Sequence, residues 1–374
     1  MSVFDELIGQ AHIVETLSGA VNAAASGEES QEMTHAWIFT GPPGSGRSSA
    51  AIAFAQSLVC KANGCGSCNV CITAKSGAHP DVEILRSEGL SIKIDEVREL
   101  LTRTAWAPSM GDWRVVVMED ADRLTESAAN ALLKAIEEPG LRTVWLLCAP
   151  TLHDILPTIR SRCRHIQLHT PSNHEVSQFL VTKHQIAPKM ADFAARVSQG
   201  HIGRARHLAT NEAVRNRRSA ILAIPSQLTS ISNAFAAAAK LVEIANEESS
   251  AISEQLDEKE YEALSTALGK GGGKALKELE KEQKSRATRI TRDTLDGALL
   301  DLLTFYRDVL LVQSGHGDAL INEELSDQIR KMTETTTSAK TLAKIDAIMK
   351  ARENLQRNGA PLLVMEALMC ELIK

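Results

Sequence analysis

At 374 residues the chain is longer than one hydrophobic core usually supports, so two or three domains are expected. Its 41 Lys and Arg against 47 Asp and Glu leave a formal net charge of −6, which excludes indiscriminate nucleic-acid binding and leaves only local patches for such contact. The aromatic content of 3%, with abundant Ala and Leu, argues for helix-rich packing over a β-sandwich.

The amino terminus carries Asp5 and Glu6 and lacks the basic, apolar pattern of a signal peptide. No apolar run approaches the roughly 18–20 residues that span a bilayer. The expectation is a cytoplasmic chain with no membrane partner, whose seven cysteines are thiols or ligands rather than disulfides.

Residues 12–25 have helical spacing (Ile13, Leu17, Val21) and end in the polar loop Ser26-Gly27-Glu28-Glu29-Ser30. Ala36 to Thr40 is a short apolar strand leading into Gly41-Pro42-Pro43-Gly44-Ser45-Gly46-Arg47-Ser48. This is a phosphate-binding loop complete except for its lysine. The glycines Gly41, Gly44 and Gly46 let backbone N–H groups close around phosphates, and the helix opening at Arg47, Ser48 and Ser49 turns its positive end toward them. The pattern expects a compact ammonium before the terminal hydroxyl residue. Arg47 is longer, planar and forked, so the exchange is not conservative.

The helix predicted from Arg47 to about Val59 runs into Cys60, Cys65, Cys68 and Cys71, spaced C-x4-C-x2-C-x2-C. Gly64 and Gly66 permit the tight turns that gather thiolates onto one metal. Short C-x2-C spacing is the signature of structural zinc, and four thiolates leave no open coordination position. Unmetallated thiols and an iron–sulfur cluster are the alternatives, although the run lacks the C-x3-C-P element of bacterial ferredoxins. Cys148, Cys163 and Cys370 read as small buried hydrophobes.

Arg114 to Met118 is a second buried strand, ending in Glu119, Asp120 and Asp122. Such a strand usually ends in an Asp that holds Mg²⁺ followed by a Glu that activates water; here Glu119-Asp120 inverts the pair. A metal site and solvated acids at a strand end both fit. Thr125 caps a helix over Ala128 to Glu138, stopped by Pro139-Gly140. Val144 to Cys148 is a third strand and His165 to Leu168 a fourth. Continuous apolar strands alternating with helices predict an α/β domain with a parallel sheet covered on both faces, over residues 1–169. Between the last two strands lies Arg160-Ser161-Arg162-Cys163-Arg164-His165, a basic segment that by itself could be a solvated rim.

Beyond Pro171 the β signal disappears. Residues 170–215 read as a small helical domain and 216–374 as an all-α domain, including helices at Leu295–Val312 and Pro361–Ile373. Gly269-Lys270-Gly271-Gly272-Gly273-Lys274 superficially suggests a second phosphate site, but no strand precedes it. It reads as a linker into a solvated Lys/Glu-rich helix.

In this order the motifs resemble the bacterial clamp loader of DNA polymerase III, an AAA+ family with a RecA-like sheet domain, and most closely its delta-prime branch. Val3-Phe4-Asp5-Glu6-Leu7-Ile8-Gly9-Gln10 is similar to the box that lies beside the adenine in that family. Ala128-Ala129-Asn130-Ala131-Leu132-Leu133-Lys134, continuing to Glu137-Glu138-Pro139, and Ser161-Arg162-Cys163 match its helix and its SRC motif. The resemblance implies a helical lid over 170–215 and an oligomerisation collar over 216–374. It implies structural Zn²⁺ on the four cysteines, tau/gamma- and delta-type subunits as partners, and the sliding clamp and primed DNA as what the assembly handles. It also implies that Arg162 reaches across an interface toward a neighbour's γ-phosphate; an interface arginine that pairs with a carboxylate is the plainer role.

Measured against an active relative, the site departs in several places. Arg47 replaces the lysine, Glu119-Asp120 is inverted, Cys148-Ala149-Pro150 lacks the polar sensor, and Gly203 stands where the sensing arginine is expected. Arg204 is one step on, about 100° around the helix. No hydrolysis by this chain is therefore expected, while binding of ATP and Mg²⁺ stays open. The competing readings are an active ATPase motor of the same assembly and a zinc-containing nucleic-acid-binding module resting on Arg204, Arg206, Arg215, Arg217 and Arg218. A solvated helix face also accounts for those arginines.

Overall fold

The structure, a computed structural model, describes residues 2–26, 32–86, 91–268, 273–317 and 319–373. Most of the polar loop read over 26–30 and the glycine-rich stretch 269–272 lie outside the described residues. The chain divides into two compact units, Met1–Thr210 and Asn211–Lys374.

The first unit is built on a parallel sheet ordered β2-β3-β4-β1-β5. Its strands are β1 (Ala36–Thr40), β2 (Val82–Leu85), β3 (Arg114–Met118), β4 (Thr143–Ala149) and β5 (Arg164–Gln167). Every residue of β1, β3 and β4 is buried, as expected of central strands covered on both faces. The period of two separates two cores. Trp37, Phe39, Val115, Val117, Val144, Leu146 and Cys148 pack under α1 (Ala11–Ser26) and α2 (Arg47–Val59). Ile38, Val116, Met118, Trp145 and Leu147 face the other side, which also buries residues of α4 (Ile94–Thr104) and α5 (Glu126–Glu137). Between α2 and α4 lies α3 (Asn69–Ser76). Thr125 caps α5 as expected, accepting from Ala128 N–H at 3.3 Å.

The sheet has a fifth strand that the sequence reading does not contain. β2 is a four-residue edge strand, with only Val82 fully buried. Just before it, Asp81 is fully enclosed and accepts the N–H groups of Ser109 (2.6 Å), Met110 (2.7 Å) and Gly111 (2.8 Å), plus the Ser109 hydroxyl (2.9 Å). Burial pushes this carboxyl up, but the three N–H groups outweigh it and hold the group below the ordinary carboxylate range. The carboxylate thereby fixes the loop between α4 and β3, and Arg114 approaches it at 3.4 Å.

After β4 come the short helix α6 (Pro157–Arg160), β5, and then α7 (Asn173–His184), α8 (Pro188–Ser198) and α9 (Ile202–Thr210). Ser172 and Glu175 form a capping box at the start of α7.

The second unit is helical: α10 (Glu212–Gln227), α11 (Ile231–Leu268), α12 (Gly273–Gln313), α13 (Ser326–Thr335), α14 (Ser338–Gln356) and α15 (Pro361–Ile373). Leu241, Leu299, Leu302, Phe305, Tyr306, Ile348, Met365 and Met369 form its core. Within that core Asp308, fully buried, accepts the N–H groups of Ile321 (3.1 Å) and Asn322 (2.7 Å), so a buried charge is satisfied by backbone dipoles. No helix among the described residues is long and apolar enough to cross a membrane.

Candidate functional site

The phosphate loop joins β1 to α2, the strand–loop–helix context that such a loop needs. Gly44 and Gly46 have φ of 83° and 92°, the left-handed region that favours glycine. A Cβ on Gly44 would stand 2.2 Å from Cγ of His201, so the imidazole at the start of α9 packs directly on the loop. Loop, helix start and α9 enclose a cavity of about 370 Å³, which Leu7 and Ile8 of the amino-terminal segment also line. That segment is anchored to the end of β5 by Gln10, whose amide donates to the His169 carbonyl at 2.7 Å and accepts from its N–H at 3.2 Å.

Two polar atoms at the loop have no partner among the described residues: Ser45 Oγ, in a residue 2% exposed, and Nη1 of Arg47. Orphaned donors of this kind, at a helix start, fit an anionic group such as a nucleotide phosphate. A divalent cation fits less well. Glu119 is ion-paired with Arg86 at 3.1 Å. The Cys148 thiol below the loop is pushed up by burial and further by the negative charge of Glu119. Asp120 lies beside Asp122, and burial, then that neighbouring charge, raises the Asp122 carboxyl. The carboxylate that would ligate a cation is thus already engaged.

Cys148 and Ala149 end β4 facing opposite cores, and Pro150 accepts from Gly41 N–H at 3.2 Å, so this corner offers the cavity no polar side chain. Gly203 does line the cavity, as its place in the motif suggests. Arg206 lines it too, and the sequence reading had assigned that residue only to a surface cluster. The spacing of three from Gly203 was the available signal.

The four cysteines converge. Cys60 caps the far end of α2 and Cys68 caps α3, its sulfur accepting Cys71 N–H at 3.4 Å. Cys60 Sγ lies 4.0 Å from Cys65 Sγ and 3.7 Å from Cys68 Sγ, and all four sulfurs fall within 4.8 Å of one another. Tetrahedral thiolates about 2.3 Å from one ion are separated by about 3.8 Å, so the set fits zinc closely. Backbone N–H groups of Ser67 and Cys68 hold Cys65 down to about 6, which favours the thiolate a metal needs. Asn63, Gly64 and Gly66 turn the chain with φ of 51°, 89° and 74°. The Gly64 carbonyl accepts Val3 N–H at 2.9 Å, docking the amino-terminal segment on this knuckle.

Arg162 follows α6 and is partly exposed. It pairs with Glu137 of α5 at 2.7 Å and donates to the Thr158 carbonyl at 2.7 Å. Its neighbours in the basic segment are not a uniform charged rim. Arg164 stacks 4.8 Å from the Trp37 ring, and His165 sits 2.6 Å from the Thr40 hydroxyl with its pKa lowered by burial. The arginine cluster over 204–218 is likewise no continuous surface. Arg218 is buried between Asp301 (3.1 Å) and Glu324 (2.8 Å), and Arg217 pairs with Glu248 at 2.5 Å.

The family described as DNA polymerase III, delta subunit matches residues 18–172. The DNA polymerase III subunit delta' of Bacillus subtilis is 26% identical over 333 residues, 88% of each chain. The DNA polymerase III subunit gamma/tau of Mycobacterium tuberculosis is 34% identical over 167 residues, 43% of this chain, which thus spans only 28% of that relative's length. A solved Thermotoga maritima protein related to the DNA polymerase III gamma subunit aligns over 96% of this chain and 98% of its own, with 16% identity and a TM-score of 0.44. The chain is thus similar to the DNA polymerase III delta family over residues 18–172, and to a delta' subunit over most of its length.

Proposed function

We propose that this chain is a non-hydrolysing delta-prime subunit of the clamp loader, and that it assists neighbours that turn ATP over. One observation carries the reading: the backbone cradle of Gly41, Gly44 and Gly46 is intact, while the groups that would act on a γ-phosphate are exchanged or engaged elsewhere. Losing two interactions of about 2–4 kcal/mol each slows a reaction by roughly 10³-fold or more. Arg47, the Glu119–Arg86 pair and Gly203 together affect the phosphate grip, metal and sensing.

The working arrangement is then an AAA+ domain over 1–169, a helical lid over 170–215 and a collar over 216–374. Partners are tau/gamma- and delta-type subunits. The assembly opens the sliding clamp and loads it on primed DNA in the cytoplasm. Zinc on Cys60, Cys65, Cys68 and Cys71 holds the knuckle closed. Arg162 leaves Glu137 to stabilise transition-state charge at a neighbouring subunit, a contribution worth about 10³–10⁵ in rate in comparable systems.

The test is steady-state ATP hydrolysis by the purified chain, alone and in the reconstituted assembly. The chain alone is expected to give no turnover above background. Assemblies carrying Arg162→Ala are expected to form normally and lose DNA-stimulated turnover at the site Arg162 serves. Vigorous hydrolysis by the chain alone, or unchanged turnover with Arg162→Ala, overturns the corresponding part.

A further inference from the structure

We infer that the cavity over the phosphate loop holds the polyphosphate of a nucleotide without a divalent cation, with Arg206 of α9 acting beside Arg47 as the second phosphate-binding cation. This rests on the proposed reading of the loop as a non-hydrolysing nucleotide site, and extends it to how the charge is balanced.

Gly203 and Arg206 are three positions apart on α9, so they share a helix face, and both line the cavity with the residues that open α2. A side chain one turn further along the helix therefore supplies a cation where Gly203 supplies none. Arg206 has no carboxylate partner among the described residues, in contrast to Arg86, Arg162 and Arg218. Arg47 presents Nη1 with no partner, and the enclosed Ser45 hydroxyl is orphaned beside it. Two guanidinium groups and an unsatisfied hydroxyl around a helix start form a site for phosphate oxygens, which planar guanidinium binds in bidentate fashion.

The same geometry disfavours a metal. The Glu119 carboxylate, the acid at the end of β3, is held by Arg86 at 3.1 Å. His201 forms a wall rather than a counter-charge. Burial, then the charges of Arg204 and Arg47, keep its imidazole neutral. Its Nδ1 accepts Arg204 N–H at 3.2 Å, so Nε2 carries the proton and is the ring's donor.

The experiment is a fluorescence titration of the full chain with methylanthraniloyl-ATP in metal-depleted buffer, with and without added Mg²⁺. Chelator is omitted so that any metal in the cysteine knuckle stays in place. Affinity is expected to change less than about threefold on adding Mg²⁺, because arginines carry the charge. Arg206→Ala is expected to weaken binding at least about tenfold in both buffers, Arg206→Lys to recover only part of that loss, and Arg204→Ala to leave it nearly unchanged. Binding that requires Mg²⁺, an Arg206→Ala chain that binds as well as the parent, or no binding at all overturns the inference. A parallel hydrolysis assay separates the two readings. Absent binding with absent turnover removes this inference and leaves the non-hydrolysing subunit standing, whereas turnover removes the latter.

Discussion

The two ends of α2 carry the two sites of the first unit, and they are built on opposite principles. At the carboxyl-terminal end four cysteines converge, the turns between them are made by glycines and Asn63, and the loop fixed by Asp81 brings Gly111 close to Val59. At the amino-terminal end the loop is equally well shaped, but Ser45 and Arg47 carry unpartnered atoms while the neighbouring Glu119 is tied to Arg86. A site that holds a metal for structure can be closed. One that receives a ligand must keep donors unsatisfied, and one that once handled a metal can lose it by pairing its ligands internally.

That contrast can be broken most severely at the knuckle. Metal analysis of the purified chain is expected to give one zinc per chain, and Cys68→Ser to strip it and lower stability by several kcal/mol, read by metal content and thermal melting. Full metal retention would end the structural-zinc assignment. Next in size is Asp81→Asn, which replaces a buried carboxylate that accepts five hydrogen bonds and is expected to cost about 3 kcal/mol in urea unfolding. The folded Asp81 carboxyl lies below the usual value of about 3.9, so its stabilisation is fully present above that pH. It is lost as the pH falls through the lowered folded value, and acid unfolding of Asp81→Asn should lack that component.

At the loop end, Gly44→Ala forces a side chain into a left-handed conformation and against His201, and is expected to cost about 1–3 kcal/mol by the same measurement. The smallest effect sharpens the comparison most. Arg47→Lys restores the loop's usual ammonium, yet hydrolysis should stay at background because Glu119 remains paired with Arg86 and Gly203 brings no cation to the cavity. Appreciable turnover in that variant would mean that the arginine alone silences the site.

The residues that sequence reading recovered are those whose partners lie close in the chain. The loop glycines, the cysteines and the Thr125 cap are set by local turn and helix chemistry, so spacing alone exposes them. Arg86 and Arg206 were not legible because their meaning depends on where the sheet edge and α9 fold: Arg86 meets Glu119 from 33 positions away. The edge strand β2 is only four residues long and includes the charged Glu83, too short for a clear alternation. The helix α4 begins after Lys93, whose N–H is satisfied by Glu96 at 3.0 Å, so no Ser, Thr, Asp or Asn announces it. The arginines between 204 and 218 illustrate the reverse error, since proximity in sequence grouped side chains that the fold sends to a cavity, a buried ion pair and a helix–helix contact.

If Arg162 serves a neighbouring subunit as proposed, its pairing with Glu137 governs how the chain behaves before assembly. An ion pair open to water on both sides contributes at most about 1 kcal/mol, so it restrains the guanidinium without locking it. The side chain is stowed against its own domain, shielded from stray anions, and released cheaply by any arriving surface that offers a stronger negative charge. Docking and arming of the arginine would then be a single event.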